Sequence, residues 1–146
     1  MYKKILVTLD HTPADKTILE HIEKLHRFIP SEVLLLHVAD GWVARNYERL
    51  RLRESEEMKQ DKRYLAEVAK RLMKQGIKTT HFLAMGEPAD EIIKFAKERN
   101  CDLIAMSTHG HRFLSDFIHG STATKVRHQV EIPLLLIKAR PVGKKE

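Results

Sequence analysis

Apolar residues gather along this chain into short continuous runs, separated by longer stretches in which they recur every three or four positions. Ile5-Leu6-Val7-Thr8-Leu9 is the first run and predicts a strand. Four more runs predict strands at Val33–Val38, Ile77–Leu83, Leu103–Met106 and Pro133–Ile137. Between the first two, Ile18, Leu19, Ile22 and Leu25 fall on one helical face, which predicts a helix over Pro13–Phe28. Thr12 supplies a capping hydroxyl ahead of Pro13 at the first helical position. Glu91–Arg99 offers Ile92, Ile93, Phe95 and Ala96 to a core, and Gly120–Gln129 has room for a helix turning Ala123 and Val126 inward. The crossover from Asp40 to Gln75 is long. Its later half reads as a helix through Met58, Leu65, Ala69 and Leu72, ended by Gly76. Its earlier half, Gly41 to Glu57, mixes Trp42, Tyr47, Leu50 and Leu52 with many charges and reads as a charged surface insertion or a lid.

Strands that are apolar on both faces and alternate with helices imply a parallel sheet covered on both sides. Right-handed crossovers then give a doubly wound, Rossmann-like α/β domain with five strands in the order 3-2-1-4-5. Residues 1–139 are expected to form that single domain and 140–146 a C-terminal tail. In this order the winding reverses between strands one and four, and ligands bind outside the carboxyl ends of the strands at such a point. The ends concerned are Leu9-Asp10 and Met106-Ser107, so these distant segments should converge.

Composition narrows the partners. No apolar run approaches the roughly 20 residues that cross a bilayer, and the N-terminal run is too short for a secretory signal. A single cysteine, Cys101, excludes an internal disulfide and fits a reducing cytoplasm. The net charge of +6 raises nucleic acid as a partner. Between Arg45 and Arg71, however, basic residues alternate with acidic ones as on a solvated helix face, and no zinc spacing or aromatic-studded basic strand is present. Nucleic acid is therefore not an expected partner.

The chemistry concentrates after strand four, in Ser107-Thr108-His109-Gly110 and His119-Gly120-Ser121-Thr122. Glycines that admit a ligand to backbone amides, with hydroxyls at a helix start, suit a phosphate group. No lysine precedes Ser121, so this is not a Walker A loop, and Asp10-His11-Thr12-Pro13 lacks the dinucleotide glycines. The pattern resembles the universal stress protein family, whose ATP-binding branch carries Gly-x2-Gly-x9-Gly-Ser/Thr after strand four. Gly110, Gly120 and Ser121 match that pattern, and Ser107 stands in place of its first glycine. The resemblance extends from Lys-Lys-Ile-Leu-Val-Thr-Leu-Asp10 through Leu-Leu-His37-Val38 and Gly86-Glu-Pro88-Ala-Asp-Glu-Ile to the closing Ile-Pro-Leu-Leu-Leu-Ile137. It implies an adenine nucleotide, ATP or a relative, with magnesium, if present, held by its phosphates. Thr8, Leu9 and Asp10 would face the nucleoside and Val38 would offer backbone groups to the adenine edge. Ser107, His109, Gly110, Gly120, Ser121 and Thr122 would surround the phosphates. It also implies a homodimer, for which the apolar edge Ile132–Ile137 gives a physical motive.

Other readings stay open at this level. Asp10 either faces a ligand or caps the turn into the first helix. Gly86 and Pro88 read as the turn into the Glu91 helix, and His37 as a satisfied core histidine. His109, His111 and His119 cluster near the loop without a carboxylate or cysteine at fixed spacing, so no metal site is expected. Ser107, His109 and Asp116 lack the strained elbow of a nucleophilic serine, so no catalytic set is assigned. The functional alternatives are a stress protein that binds an adenylate as a regulatory or stabilising ligand, a slow ATPase using the same site, and a nucleotide-free dimeric interaction module.

Overall fold

Two apolar faces per strand require two layers of cover, and the chain supplies both. The computed structural model describes residues 1–39, 56–108 and 114–140, with the backbone alone over 114–120. In chain order the elements are β1 (Lys4–Thr8), α1 (Asp15–Phe28), β2 (Glu32–Ala39), α2 (Glu56–Lys74), β3 (Thr79–Met85), α3 (Pro88–Glu98), β4 (Leu103–Ser107), α4 (Leu114–Gln129) and β5 (Leu134–Ile137). The strands form one sheet in the order β3-β2-β1-β4-β5. Every pairing is parallel, with Ile5 opposite Val33 and Leu103, and Ile104 opposite Leu134. The doubly wound topology expected from the apolar runs is the one observed.

Alternation along β1 divides the core. Ile5, Val7 and Leu9 pack with Ile18 and Ile22 of α1 and Leu65 and Leu72 of α2 on one face. Leu6 turns the other way, joining Leu34, Leu36, Ile104, Ile92 and Val126 beneath α3 and α4. Met58, Leu65, Ala69 and Leu72 are all buried, as their spacing predicts. Gly76 ends α2 with φ +82, and the Ile77 amide returns to the Leu72 carbonyl at 3.1 Å, a left-handed helix stop that few other residues tolerate.

Several boundaries differ from expectation by one to six residues, among them α3, which starts at Pro88 instead of Glu91, and three differ for identifiable reasons. Strand β3 starts two residues after Ile77, because Ile77 is spent in that helix stop. Helix α1 starts at Asp15, not Pro13, and Thr12 does not cap it: the N-cap position is Ala14, with no side-chain hydrogen bond. The capping runs in reverse, since Asp15 in the first turn reaches back to the loop amides of Asp10 and His11. Helix α4 starts at Leu114, six residues before Gly120. Leu114, Phe117 and Ile118 have helical spacing, and a lone glycine lowers helix propensity without ending a helix. Farther along, Arg140, the first residue of the expected tail, is fastened to α1 through its amide on Thr17 Oγ1 at 3.1 Å and an ion pair with Glu20.

Candidate functional site

At the point where the winding reverses, β1 is flanked by β2 and β4, and the carboxyl ends of all three open into a cavity of about 730 Å³. That volume lies within the range of small-molecule sites. Its floor is Thr8, Leu9 and Asp10 from β1 and the turn after it, His37 and Val38 from β2, and Met106 and Ser107 from β4. One wall is the start of α2, with Glu57, Met58, Gln60 and Asp61. The opposite wall is Pro88 and Ile92 of α3, and Thr122 closes the β4 side.

The convergence expected of the strand ends Leu9-Asp10 and Met106-Ser107 is present: Thr8, Leu9, Asp10, Val38, Ser107 and Thr122 share one cavity. Ser121 is exposed and stands outside its lining. Gly120 lies within α4 instead of at its N-terminus. His109, Gly110 and His111 fall outside the described residues, as does the 41–55 part of the candidate lid.

A polar network organises the β1 end of the cavity, and most of it escapes a reading by sequence. Asp15 is 2% exposed and receives the amides of Asp10 and His11 at 2.9 Å each and the Tyr64 hydroxyl at 2.6 Å. These bonds hold His11 at φ +59, a left-handed backbone that costs about 1–2 kcal/mol in a non-glycine residue. Its ring stacks on Tyr64, centroids 4.1 Å apart. Nδ1 of His11 donates to Asp61 at 2.6 Å, and the other Asp61 oxygen lies 3.5 Å from Nε2 of His37. Nδ1 of His37 is 2.7 Å from the Leu9 carbonyl, which only accepts, so that nitrogen carries the hydrogen. His37 is thus a hydrogen-bonded strand-end histidine that also faces the cavity. Nothing in the spacing of Asp15, Asp61 and Tyr64 announces this cluster. The nearest signal is Asp15 four residues after His11, the separation at which a first-turn carboxylate returns to the preceding loop.

Burial, assisted by the Asp15 carboxylate, pushes the Tyr64 phenol well above its usual range. The Cys101 thiol, buried beneath α3, is pushed up to about 11, chiefly by desolvation. It is a packed core group, not a nucleophile.

Two cavity hydroxyls stand apart from the network. Thr12 Oγ1 and Ser107 Oγ are closed off from water and have no hydrogen-bond partner among the described residues. Turn chemistry at the α3 wall follows its sequence signature: Gly86 takes φ +143, Glu87 accepts the Asp90 amide at 2.7 Å, and Pro88 opens the helix.

Comparison with known proteins agrees with this architecture. A family model described as the universal stress protein family matches residues 1–138. Universal stress protein MJ0577 of Methanocaldococcus jannaschii is 29% identical, over 96% of this chain and 97% of that relative. Its solved structure superposes with a TM-score of 0.82 at 28% identity, over 97% of this chain and 99% of that one. A universal stress protein of Archaeoglobus fulgidus, solved in complex with dAMP, superposes at 0.68 with 21% identity, covering 94% and 98%. Another, solved in complex with cAMP, superposes at 0.66 with 15% identity, covering 94% and 97%. The last two are likenesses of fold.

Proposed function

The chain belongs to the universal stress protein family, and from that membership we propose that it binds an adenine nucleotide, ATP or a relative, as a regulatory or stabilising ligand in a stress response. The observation that carries this reading is the cavity at the reversal of winding, lined together by Asp10, Val38, Ser107 and Thr122. Those residues come from three strand ends and one helix, and they are positions that the family resemblance assigns to nucleoside, base and phosphate. Base and sugar are assigned to the β2 and β1 side, where the backbone at Val38 and the carboxylate of Asp10 offer complementary edges. The phosphates are assigned to the β4 side, near Ser107 and Thr122, with His109, Gly110, Gly120 and Ser121 completing the motif; magnesium would ride on the phosphates. The dAMP and cAMP complexes within this fold lend support, because both ligands share an adenine and a phosphate on the sugar. The setting we propose is the cytoplasm, with the chain as a homodimer. No helix among the described residues is long and apolar enough to cross a membrane.

Calorimetric titration of the purified protein with AMP, ATP and GMP tests the ligand. Saturable binding of the adenylates with a rise in melting temperature is the expected result. No heat and no melting shift at millimolar adenylate sinks the proposal.

A further inference from the structure

Phe28, the last residue of α1, is 84% exposed, although the same helix buries Ile18, Leu19 and Ile22. Met73, near the end of α2, is 52% exposed, and Met1, ahead of β1, is 90% exposed. Single exposed apolar side chains are ordinary. Here, three of the five large ones among the described residues fall at one end of the molecule. Helices that connect parallel strands run back against them, so α1 and α2, which cover the same face, both finish at the amino ends of β1, β2 and β3. Bonds between the segments hold this end together. The Glu32 amide donates to the Lys3 carbonyl and the Val33 amide to the Lys78 carbonyl, each at 2.8 Å. The Ser31 hydroxyl donates to the Tyr2 carbonyl, and Arg71 of α2 pairs with Glu23 of α1 at 2.6 Å.

Charge at this end has one sign. The last five residues of α1 (24–28) and of α2 (70–74) hold Lys24, Arg27, Lys70, Arg71 and Lys74 and no carboxylate. Glu23 is paired with Arg71, Glu32 with Lys78, and Asp102 with the amides of Lys3 and Lys4. Glu98 and Glu131 stand at the ends of α3 and α4, the helices of the opposite layer. Basic residues in a last turn complement the helix dipole, which accounts for Arg27, Arg71 and Lys74. It does not account for Lys24 and Lys70, a turn farther in, or for an uncovered phenylalanine.

We propose that this end docks on the surface of an anionic lipid bilayer. Phe28 and Met73 enter the interface, and Lys24, Arg27, Lys70 and Lys74 meet the headgroup charge, so the chain lies on the membrane without crossing it. A second copy of the chain is a poor occupant, because a two-fold contact here sets like charges against one another. A nucleic-acid strand answers the charge, but its bases stack on aromatic rings and gain little from a methionine, whereas acyl chains take both apolar types. The cavity opens at the carboxyl ends of β1, β2 and β4, the other end of the sheet, so docking leaves it facing water.

Co-sedimentation with vesicles tests the surface, using phosphatidylcholine alone and an equimolar mixture with phosphatidylglycerol. Binding to the mixed vesicles only, weakening as salt is added, is the expected result. Lys24→Gln and Lys70→Gln are each expected to weaken it about fivefold. Phe28→Ser is expected to weaken it about tenfold while leaving the melting temperature unchanged, since this side chain is 84% exposed. No binding to mixed vesicles at low salt overturns the proposal, as does binding at parental strength in Phe28→Ser or in the double lysine variant. Tighter binding to a single-stranded oligonucleotide than to mixed vesicles, lost in the same variants, assigns the surface to nucleic acid and overturns it as well.

Discussion

Asp15 shows how much of the site depends on one carboxylate. It sits at 2% exposure and satisfies two amides and a phenol, so the turn that presents Asp10 and His11 to the cavity is fixed by a residue outside the cavity lining. Its hydrogen-bond partner Tyr64 couples the fold to pH. The folded-state phenol is raised by burial first and by Asp15 second, and the Cys101 thiol is raised from its usual value of 9.0 to about 11. Both groups hold their protons more tightly in the folded chain than in the unfolded one. The unfolded chain therefore releases them first, and stability falls as the pH climbs past about 9. Thermal melts between pH 8 and pH 10.5 should show this decline. Tyr64→Phe keeps a ring to stack on His11 but removes the titrating hydroxyl. It should melt below the parent at pH 8, by about 1–2 kcal/mol for the lost bond to a buried carboxylate, and should lose less as the pH rises. An unchanged alkaline slope in Tyr64→Phe would remove Tyr64 from the linkage. None of this was legible in the sequence: Asp15 and Tyr64 are 49 positions apart, and a tyrosine on an amphipathic helix gives no sign of its partner.

Elements were far more legible than the contacts between them, because hydrophobic period and helix stops are local signals. The five apolar runs became five strands, and Gly76 and Gly86 marked turns that need their positive φ. Local reasoning failed at α4, where two glycines suggested a loop and the chain instead forms helix from Leu114 onward. That difference bears on function. Only the first four amides of a helix lack an intrahelical acceptor, so in a helix starting at Leu114 the amides of Gly120, Ser121 and Thr122 are committed to carbonyls one turn earlier. Phosphate binding by the backbone at 120–122 therefore competes with the first two turns of α4. Gly120→Ala resolves which demand dominates. Alanine favours the continuous helix by about 0.5–1 kcal/mol, so the ligand-free variant is expected to melt higher than the parent. Its affinity for AMP and ATP is expected to fall, since the helix that must give way is now stronger. Full retention of ATP affinity in Gly120→Ala would show that the backbone at 120 does not hold phosphate.

At the scale of the whole molecule, the sheet has two edges of different character. Strand β3 presents Thr80 and His81, both exposed, along its length. Strand β5 is four residues of leucine and isoleucine, with Leu136 40% exposed and Leu134 and Leu135 only partly covered. An unpaired apolar edge is a template for association, and proteins that keep such an edge cover it. The sequence made this asymmetry visible, because the strand order and the Ile132–Ile137 run together place an apolar segment at one margin. What a second copy would contribute lies beyond a single chain's pattern. Pairing β5 with β5 about a two-fold axis would join the sheets of two chains at a margin whose strand, β5, contributes no residue to the cavity lining. Association and ligand binding are then separable. Leu136→Lys puts a charge on the edge at a position already in contact with solvent, so the fold and AMP binding are expected to survive. Sedimentation velocity at micromolar concentration should show a dimer for the parent chain and a monomer for the variant. A parent chain that sediments only as a monomer there would leave the apolar edge unexplained and remove β5 as the dimer contact. A monomeric variant that also loses AMP would instead mean that the partner copy completes the site.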